Sequence, residues 1–201
     1  MSQKLDVLSK YPDAVELGEL YRQAGFDLYL VGGLVRDELR NTPGEFTDFD
    51  MTTNATPAQS ERILSAWGEH IWDIGKEYGT ISARKNGAVY EVTTYRAEVY
   101  VADSRKPTVE FGTDLKADLI RRDFTINAMA YHPARGLLDP FGGRADLAGR
   151  VVRAVGEPSE RFGEDALRVL RAVRFAVVTR GYDMEQVDAV LARLGEQLAA
   201  A

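Results

Sequence analysis

Asp48 and Asp50 stand two residues apart in the segment FTDFDMTT. On a strand, positions i and i+2 project from the same face with Cα atoms about 6.6 Å apart. Carboxylates spaced that way can converge on a pair of divalent ions roughly 3.5–4 Å apart. One ion lowers the pKa of an attacking hydroxyl; the other grips a polyphosphate and neutralises the departing pyrophosphate. Phe49, between them, points to the opposite face and can anchor the strand in a core. A solvated strand edge would carry the same Asp-x-Asp, so the pair needs support from its surroundings.

Any such metal would rest on carboxylates. The chain has no cysteine and only two histidines, His70 and His132, neither within a ligand motif. That favours a hard ion, Mg²⁺ or Mn²⁺, on oxygen ligands. Glu91, in YEVTTYR, is open to two readings. It is either a third carboxylate near the metals or a surface acid facing Arg84 across a hairpin.

Upstream, the apolar run FDLYLV ends at Gly32-Gly33, and LVRDELR follows. Strand, glycine turn and helix in that order let backbone N–H groups approach a phosphate at the start of a helix. Arg36, one turn on, can add a charge-assisted contact to the same phosphate. A strand–helix junction that merely needs glycine looks the same in isolation. Gly-Gly-x-x-Arg-Asp followed by an acid pair is more specific, because phosphate and metal sites would then lie on neighbouring strands.

Two arginine-rich segments follow. In GEDALRVLRAVRFAVV, read at 100° per residue, Ala166, Leu170, Val173 and Val177 form one stripe, expected to face the core. Arg168 lies opposite the stripe, Asp165 and Arg171 flank Arg168, and Arg174 sits near the apolar border. Asp165 and Arg168 could hydrogen-bond the edge of a nucleobase through complementary acceptor and donor groups. Periodicity alone favours an i,i+3 salt bridge with solvated arginines. In RRDFTINA, Arg122 could reach phosphate or ribose, and Asp123 could cap the helix expected after it.

These residues need a scaffold, and the sequence suggests one. Residues 13–24 and 57–67 read as helices, the latter with Pro57 in its first turn. FDLYLV, FTDFDMTT, IWDIG, GTISARK and AVYEVTTYR read as strands, the last two joined by an Asn86-Gly87 hairpin. Residues 97–113 are mixed. From Asp114 to His132 the pattern is helical, and Gly136, Pro140 and Gly142-Gly143 punctuate a turn-rich connection. VVRAV reads as a short strand or extended link, and a last helix spans about 160–179.

The fold class is therefore α/β, a mixed sheet to about residue 155 followed by helices. With 201 residues, 45% hydrophobic and 28% charged, the chain can bury a sizeable core. No apolar run approaches membrane-spanning length, and no secretory signal pattern opens the chain. Together with the absence of cysteine, this fits a cytoplasmic protein that meets no membrane. The net charge of −6 argues against nucleic-acid binding by bulk charge but leaves room for local basic surface. Oligomeric state is not encoded in any short signal.

Taken in order, YLVGGLVRD, FTDFDMTTNATP, EVTTYRAEVY, DLIRRDFTINAMA, DPFGGRADL and GEDALRVLRAVRFA closely resemble the class II tRNA nucleotidyltransferase and bacterial poly(A) polymerase family. The resemblance covers roughly residues 25–180. It implies a polymerase-beta-like nucleotidyltransferase head domain, residues 1–155, then the start of a helical neck, 156–201, which ends abruptly. It implies that Gly32, Gly33 and Arg36 bind triphosphate, that Asp48 and Asp50 bind Mg²⁺, and that Arg122 contacts the nucleotide. Asp165 and Arg168 would select CTP or ATP, with Arg171 and Arg174 supporting phosphate or the neck. Residues 96–112 would match the loop that bears on the family's switch from C to A addition. The implied activity is template-independent addition of C, C and A to tRNA 3′ ends. A poly(A) polymerase or a CC- or A-only adding enzyme shares these motifs. An NTP-binding module without RNA-dependent activity is the expectation from a different class.

Overall fold

The computed structural model describes residues 10–40, 47–99, 108–112, 114–164 and 167–178. Pro12 opens helix α1 (Pro12–Gln23), whose Leu17 and Tyr21, one turn apart, are fully buried. Strand β1 (Leu28–Val31) is buried at all four positions, as a central strand covered on both faces must be. It leads through Gly32 into α2 (Gly33–Leu39). Strand β2 (Asp48–Thr53) starts with strict alternation, Asp48 and Asp50 out and Phe49 and Met51 in. Helix α3 (Pro57–Trp67) begins at a capping box in which Thr56 and Gln59 satisfy each other's backbone.

Strands β3 (His70–Trp72), β4 (Thr80–Lys85) and β5 (Ala88–Thr94) follow. Asn86 and Gly87, at φ 50° and 81°, make the left-handed two-residue turn that joins β4 to β5. Strands β6 (Arg96–Val99) and β7 (Thr108–Phe111) form a separate two-stranded sheet. Helix α4 (Leu115–Ile120) is capped by Asp114. Strands β8 (Ala130–His132) and β9 (Gly136–Leu138) precede the helices α5 (Gly143–Ala148), α6 (Pro158–Glu164) and α7 (Leu167–Val178).

The main sheet runs β3-β4-β5-β2-β1-β8-β9. Its β2–β5 pair is parallel and its other pairs are antiparallel. On one face Leu28, Leu30, Phe49, Met51, Ile81, Ala83, Tyr90 and Val92 pack with Leu17 and Tyr21 of α1, Leu34 and Val35 of α2, and Leu64 and Trp67 of α3. On the other face Tyr29, Val31 and Ala130 pack with Leu115 and Leu119 of α4. Among the described residues no helix is long and apolar enough to cross a membrane.

Several expectations need correction. The helix expected from Asp114 to His132 stops at Ile120, becomes a 3₁₀ turn at Thr125–Asn127 and ends as strand β8. Asp123 bonds the backbone N–H of Phe124 and the side chain of Asn127, giving the chain a local alternative to helix. Ala128, Met129, Ala130 and Tyr131 are fully buried. A short apolar run of that kind suits a buried strand as well as a helix. The IWDIG strand ends at Trp72. The turn-rich connection contains β9 and α5.

The apolar stripe of the last helix is not buried at its two described side chains: Val173 is 46% exposed and Leu170 only half-buried, while Ala166 and the Val177 side chain lie outside the described residues. Helix α7 instead turns Arg168, Arg171 and Phe175 toward the sheet domain. Periodicity locates a stripe but not what covers it.

Candidate active site

Core packing aims the acid pair. Phe49 stacks on Tyr90 at 4.7 Å and meets Tyr11 edge-on at 5.1 Å, which fixes its face of β2 inward. Asp48 and Asp50 therefore project from the other face, and both are exposed. Parallel pairing sets Asp50 beside Glu91 of β5. Glu91 hydrogen-bonds Ser82, whereas the strand partner of Arg84 is Val89. Of the two readings of Glu91, this register favours the acid near Asp50.

Partial desolvation in the cleft raises the pKa of Asp50, against relief from Arg122 and with added repulsion from Asp48. Glu91 is raised as well, by partial desolvation and then by Asp50 and Asp48. Asp50 and Glu91, side by side, thus resist ionising together, as carboxylates awaiting a cation do. Among the described residues no group of three or more His, Asp or Glu side chains forms a ready-made metal cage. Two carboxylates open to solvent suit Mg²⁺, which keeps waters and takes further ligands from substrate phosphate.

β1 runs antiparallel to β2, with Leu30 opposite Met51, so the turn after β1 arrives beside Asp50. Gly32 there has φ 72°. A Cβ at Gly32 would lie 3.4 Å from Arg122 Nη1 and 3.5 Å from Asp50 Oδ2, filling the space between cation and acid. Glycine keeps that space open and tolerates the backbone angle. Arg36 follows on α2. Its Nη1 donates to Asn127 Oδ1 at 2.7 Å, its Nε and Nη2 fork onto Asp37 at 2.8 Å, and Phe175 lies under it at 4.9 Å.

Arg121 and Arg122 leave the end of α4 and are organised by Asp118, a fully buried carboxylate. Arg121 donates to Asp118 Oδ1 through Nε at 3.1 Å and Nη2 at 2.9 Å. Arg122 Nη2 stands 3.7 Å from Asp118 Oδ2. Asp118 also accepts from the Thr52 hydroxyl and the Arg96 backbone, so it ties α4 to β2 and β6. Burial lowers the pKa of Arg122, with Asp118 opposing the shift.

The 3₁₀ turn that carries Asn127 is clamped from α5. Thr125 Oγ1 donates to Asp146, and α5 starts at Gly143 with its backbone against the Thr125 carbonyl. A Cβ at Gly143 would sit 2.7 Å from the Thr125 carbonyl carbon, closer than atoms pack. From α7, Arg168 donates to the carbonyls of Arg161 and Arg121 at 3.1 and 3.4 Å. Arg171 Nη2 lies 2.9 Å from Asp123 Oδ2, an ion pair by distance without hydrogen-bond alignment. Phe175 meets Phe124 edge-on at 5.7 Å.

These side chains enclose a cleft of about 450 Å³. Of the residues singled out from sequence, Gly32, Gly33, Arg36, Asp50, Arg122, Arg168 and Arg171 line it. Asp48 and Glu91 stand beside Asp50 on the sheet face. Arg174 is exposed and not part of the lining, and Asp165 lies outside the described residues. Sequence reasoning missed Asp118, Asn127 and Phe175. Asp118 had a signal, since it precedes Arg121 and Arg122 by three and four residues, the spacing of helical ion pairs. Asn127 and Phe175 had none.

Comparison with known proteins gives a consistent picture. Residues 28–153 match the model of the poly(A) polymerase head domain. The CCA-adding enzyme of Streptococcus thermophilus (strain CNRZ 1066) is 44% identical over 179 residues, 89% of this chain and 43% of the relative. The crystal structure of the Bacillus stearothermophilus CCA-adding enzyme in complex with CTP superposes with a TM-score of 0.72 at 39% identity, covering 89% of this chain and 42% of that one. A tRNA nucleotidyltransferase complexed with a primer tRNA and an incoming ATP analog gives 0.66 at 31% identity, covering 89% and 50%. The chain spans less than half the length of the first two.

Proposed function

Because the chain belongs to the poly(A) polymerase head-domain family, we propose that it carries the nucleotidyltransferase centre of a CCA-adding enzyme, joining CMP and AMP from CTP and ATP to tRNA 3′ ends. The observation that carries this reading is the acid pair opening onto an arginine-lined cleft of about 450 Å³, the size of a small-ligand site. Similarity to CCA-adding enzymes supports the choice of substrates. The cysteine-free sequence and the tRNA substrate support a cytoplasmic setting.

The triphosphate enters at Gly32-Gly33, whose backbone approaches it without a side chain between. Arg36 and Arg122 supply charge-assisted donors to its oxygens, in positions preset by Asn127, Asp37 and Asp118. Asp48 and Asp50 would hold Mg²⁺ (Mn²⁺ being the close substitute), with Glu91 adjacent. When bound, the metal lowers the pKa of the attacking hydroxyl and neutralises charge on the leaving group. The RNA 3′-oxygen attacks the α-phosphorus, a new P–O bond forms, and the bond to pyrophosphate breaks. Asp165 and Arg168 read the base edge, Arg168 being aimed by two carbonyls. Arg171 ties α7 to Asp123, and Arg174 serves the neck.

The test is incubation of tRNA lacking its 3′ CCA with Mg²⁺ and labelled CTP and ATP. The expected product stops after CCA, and Asp48→Ala and Asp50→Ala each abolish it. A long A tail identifies a poly(A) polymerase, and a stop after CC a CC-adding enzyme. Nucleotide binding with no incorporation at high tRNA concentration overturns the enzyme reading in favour of an NTP-binding module.

A further inference from the structure

The sheet face that carries the acids does not end at them. Strand pairing runs one row of side chains from Asp50 to Glu91, then Ser82, then Trp72. A second row runs from Asp48 to Val89, Arg84 and His70. Paired residues share a face, and strands lie about 4.8 Å apart, so Trp72 stands roughly 14 Å from Asp50 along the sheet. The residues between point the other way: Ile71, Ala83, Tyr90 and Phe49 pack into the core. Glu91, Arg84 and His70 are exposed, and Ser82, Val89 and Trp72 half-buried.

At the far end the side chains form a platform. The Arg84 guanidinium lies over the Trp72 ring at 5.5 Å, and the His70 ring meets Trp72 edge-on at 4.8 Å. The Arg84 charge rests on the ring, and among the described residues no ion pair involves it. An indole beside a cation suits a nucleic-acid strand, because bases stack on the ring and the cation takes the phosphate. The two ends of the rows are complementary in charge. The acids mark where a 3′-hydroxyl reacts, and Arg84 is where the polyanion behind it finds a counter-charge.

Resting on the function proposed above, we infer that this face is the track of the RNA primer's single-stranded 3′ end, with Trp72 as its stacking platform and Arg84 as its phosphate contact. The occupant follows from continuity with the acid pair and from charge. The neutral stretch at Ser82 and Val89 lets the strand pass close to the sheet without a desolvated charge beneath it.

The test uses Trp72→Leu and Arg84→Gln in the full chain, with two readouts. The first is intrinsic fluorescence during titration with a single-stranded oligoribonucleotide ending in CC. Trp67, the other tryptophan, is buried on the opposite face, bonded to Glu16, and contributes a constant background. RNA quenches the wild-type protein, and Trp72→Leu loses most of that response. Arg84→Gln binds more weakly and lowers the salt slope by about one ion. The second readout is incorporation: KM for primer rises about tenfold in Trp72→Leu, one lost stack, while KM for CTP stays put. Unchanged primer KM and unchanged quenching in both variants overturn the inference. Quenching that depends on Trp72, in a protein that incorporates nothing, upholds the track and overturns the reaction. A wild-type protein that neither incorporates nor responds to RNA overturns both.

Discussion

Asp118→Asn tests whether one buried carboxylate holds the arginine wall in place. The side chain is fully buried and accepts from Thr52, from the Arg96 backbone and twice from Arg121. Asparagine keeps the shape and one acceptor oxygen but removes the charge. Arg121 and Arg122 then face a neutral amide at 2.9 and 3.7 Å. Removing one partner of a buried ion pair costs about 3–5 kcal/mol. The two guanidinium groups are still 17% and 21% exposed, so water softens the loss. The expected destabilisation is therefore at the lower end, about 3 kcal/mol, or a Tm lower by roughly 6–12 °C. Urea unfolding of wild type and variant at pH 7 measures it. A loss below about 1 kcal/mol, the worth of an exposed pair, would refute the account of Asp118 as the organiser of α4.

Other outcomes follow from the same geometry. Without divalent ions, Asp50→Asn should unfold at a higher temperature than wild type while losing incorporation; a lower Tm would contradict the crowding of its acids. The sign follows from linkage. Partial desolvation raises the folded pKa of Asp50 above its unfolded value, so the ionised group penalises the fold at neutral pH, and the penalty fades as pH falls through the folded pKa. The same shift, shared by Glu91, makes Mg²⁺ affinity weaken on acidification above the usual carboxylate range. Calorimetric titration across pH 4.5–7 checks this, and a flat affinity there would count against Asp50 as a ligand. Gly143→Ala forces a methyl against the Thr125 carbonyl and should cost about 2 kcal/mol or more, read as a lower urea midpoint. A neutral result would mean that α5 does not clamp the turn carrying Asn127.

The acid pair was legible because alternation in Asp48-Phe49-Asp50-Met51 states which side chains go in. The glycine turn was legible because apolar strand, Gly32-Gly33 and helix form a local unit. What escaped depended on distant partners. Arg36 meets Asn127 across 91 residues of chain, and no local pattern announces that bond. Residues 128–131 carry no period at all, since they are covered on every side, and their sequence alone reads as helix. The stripe on α7 was located correctly as a stripe, but its burial depends on what lies against it. The helix docks through Arg168, Arg171 and Phe175 instead.

The β2–β5 pair is the one parallel pairing among the described strands. Its consequence is kinetic. Parallel strands cannot be joined by a tight turn, so the chain between β2 and β5, which carries α3, β3 and β4, must loop back before Asp50 meets Glu91. The β4–β5 hairpin closes over two residues and can form early, while β2 joins it only after a long loop has closed. A refolding chain should gain its hairpin signal before it can concentrate negative charge at one point. Divalent-ion binding during refolding would then be a clock for the moment at which β2 pairs with β5.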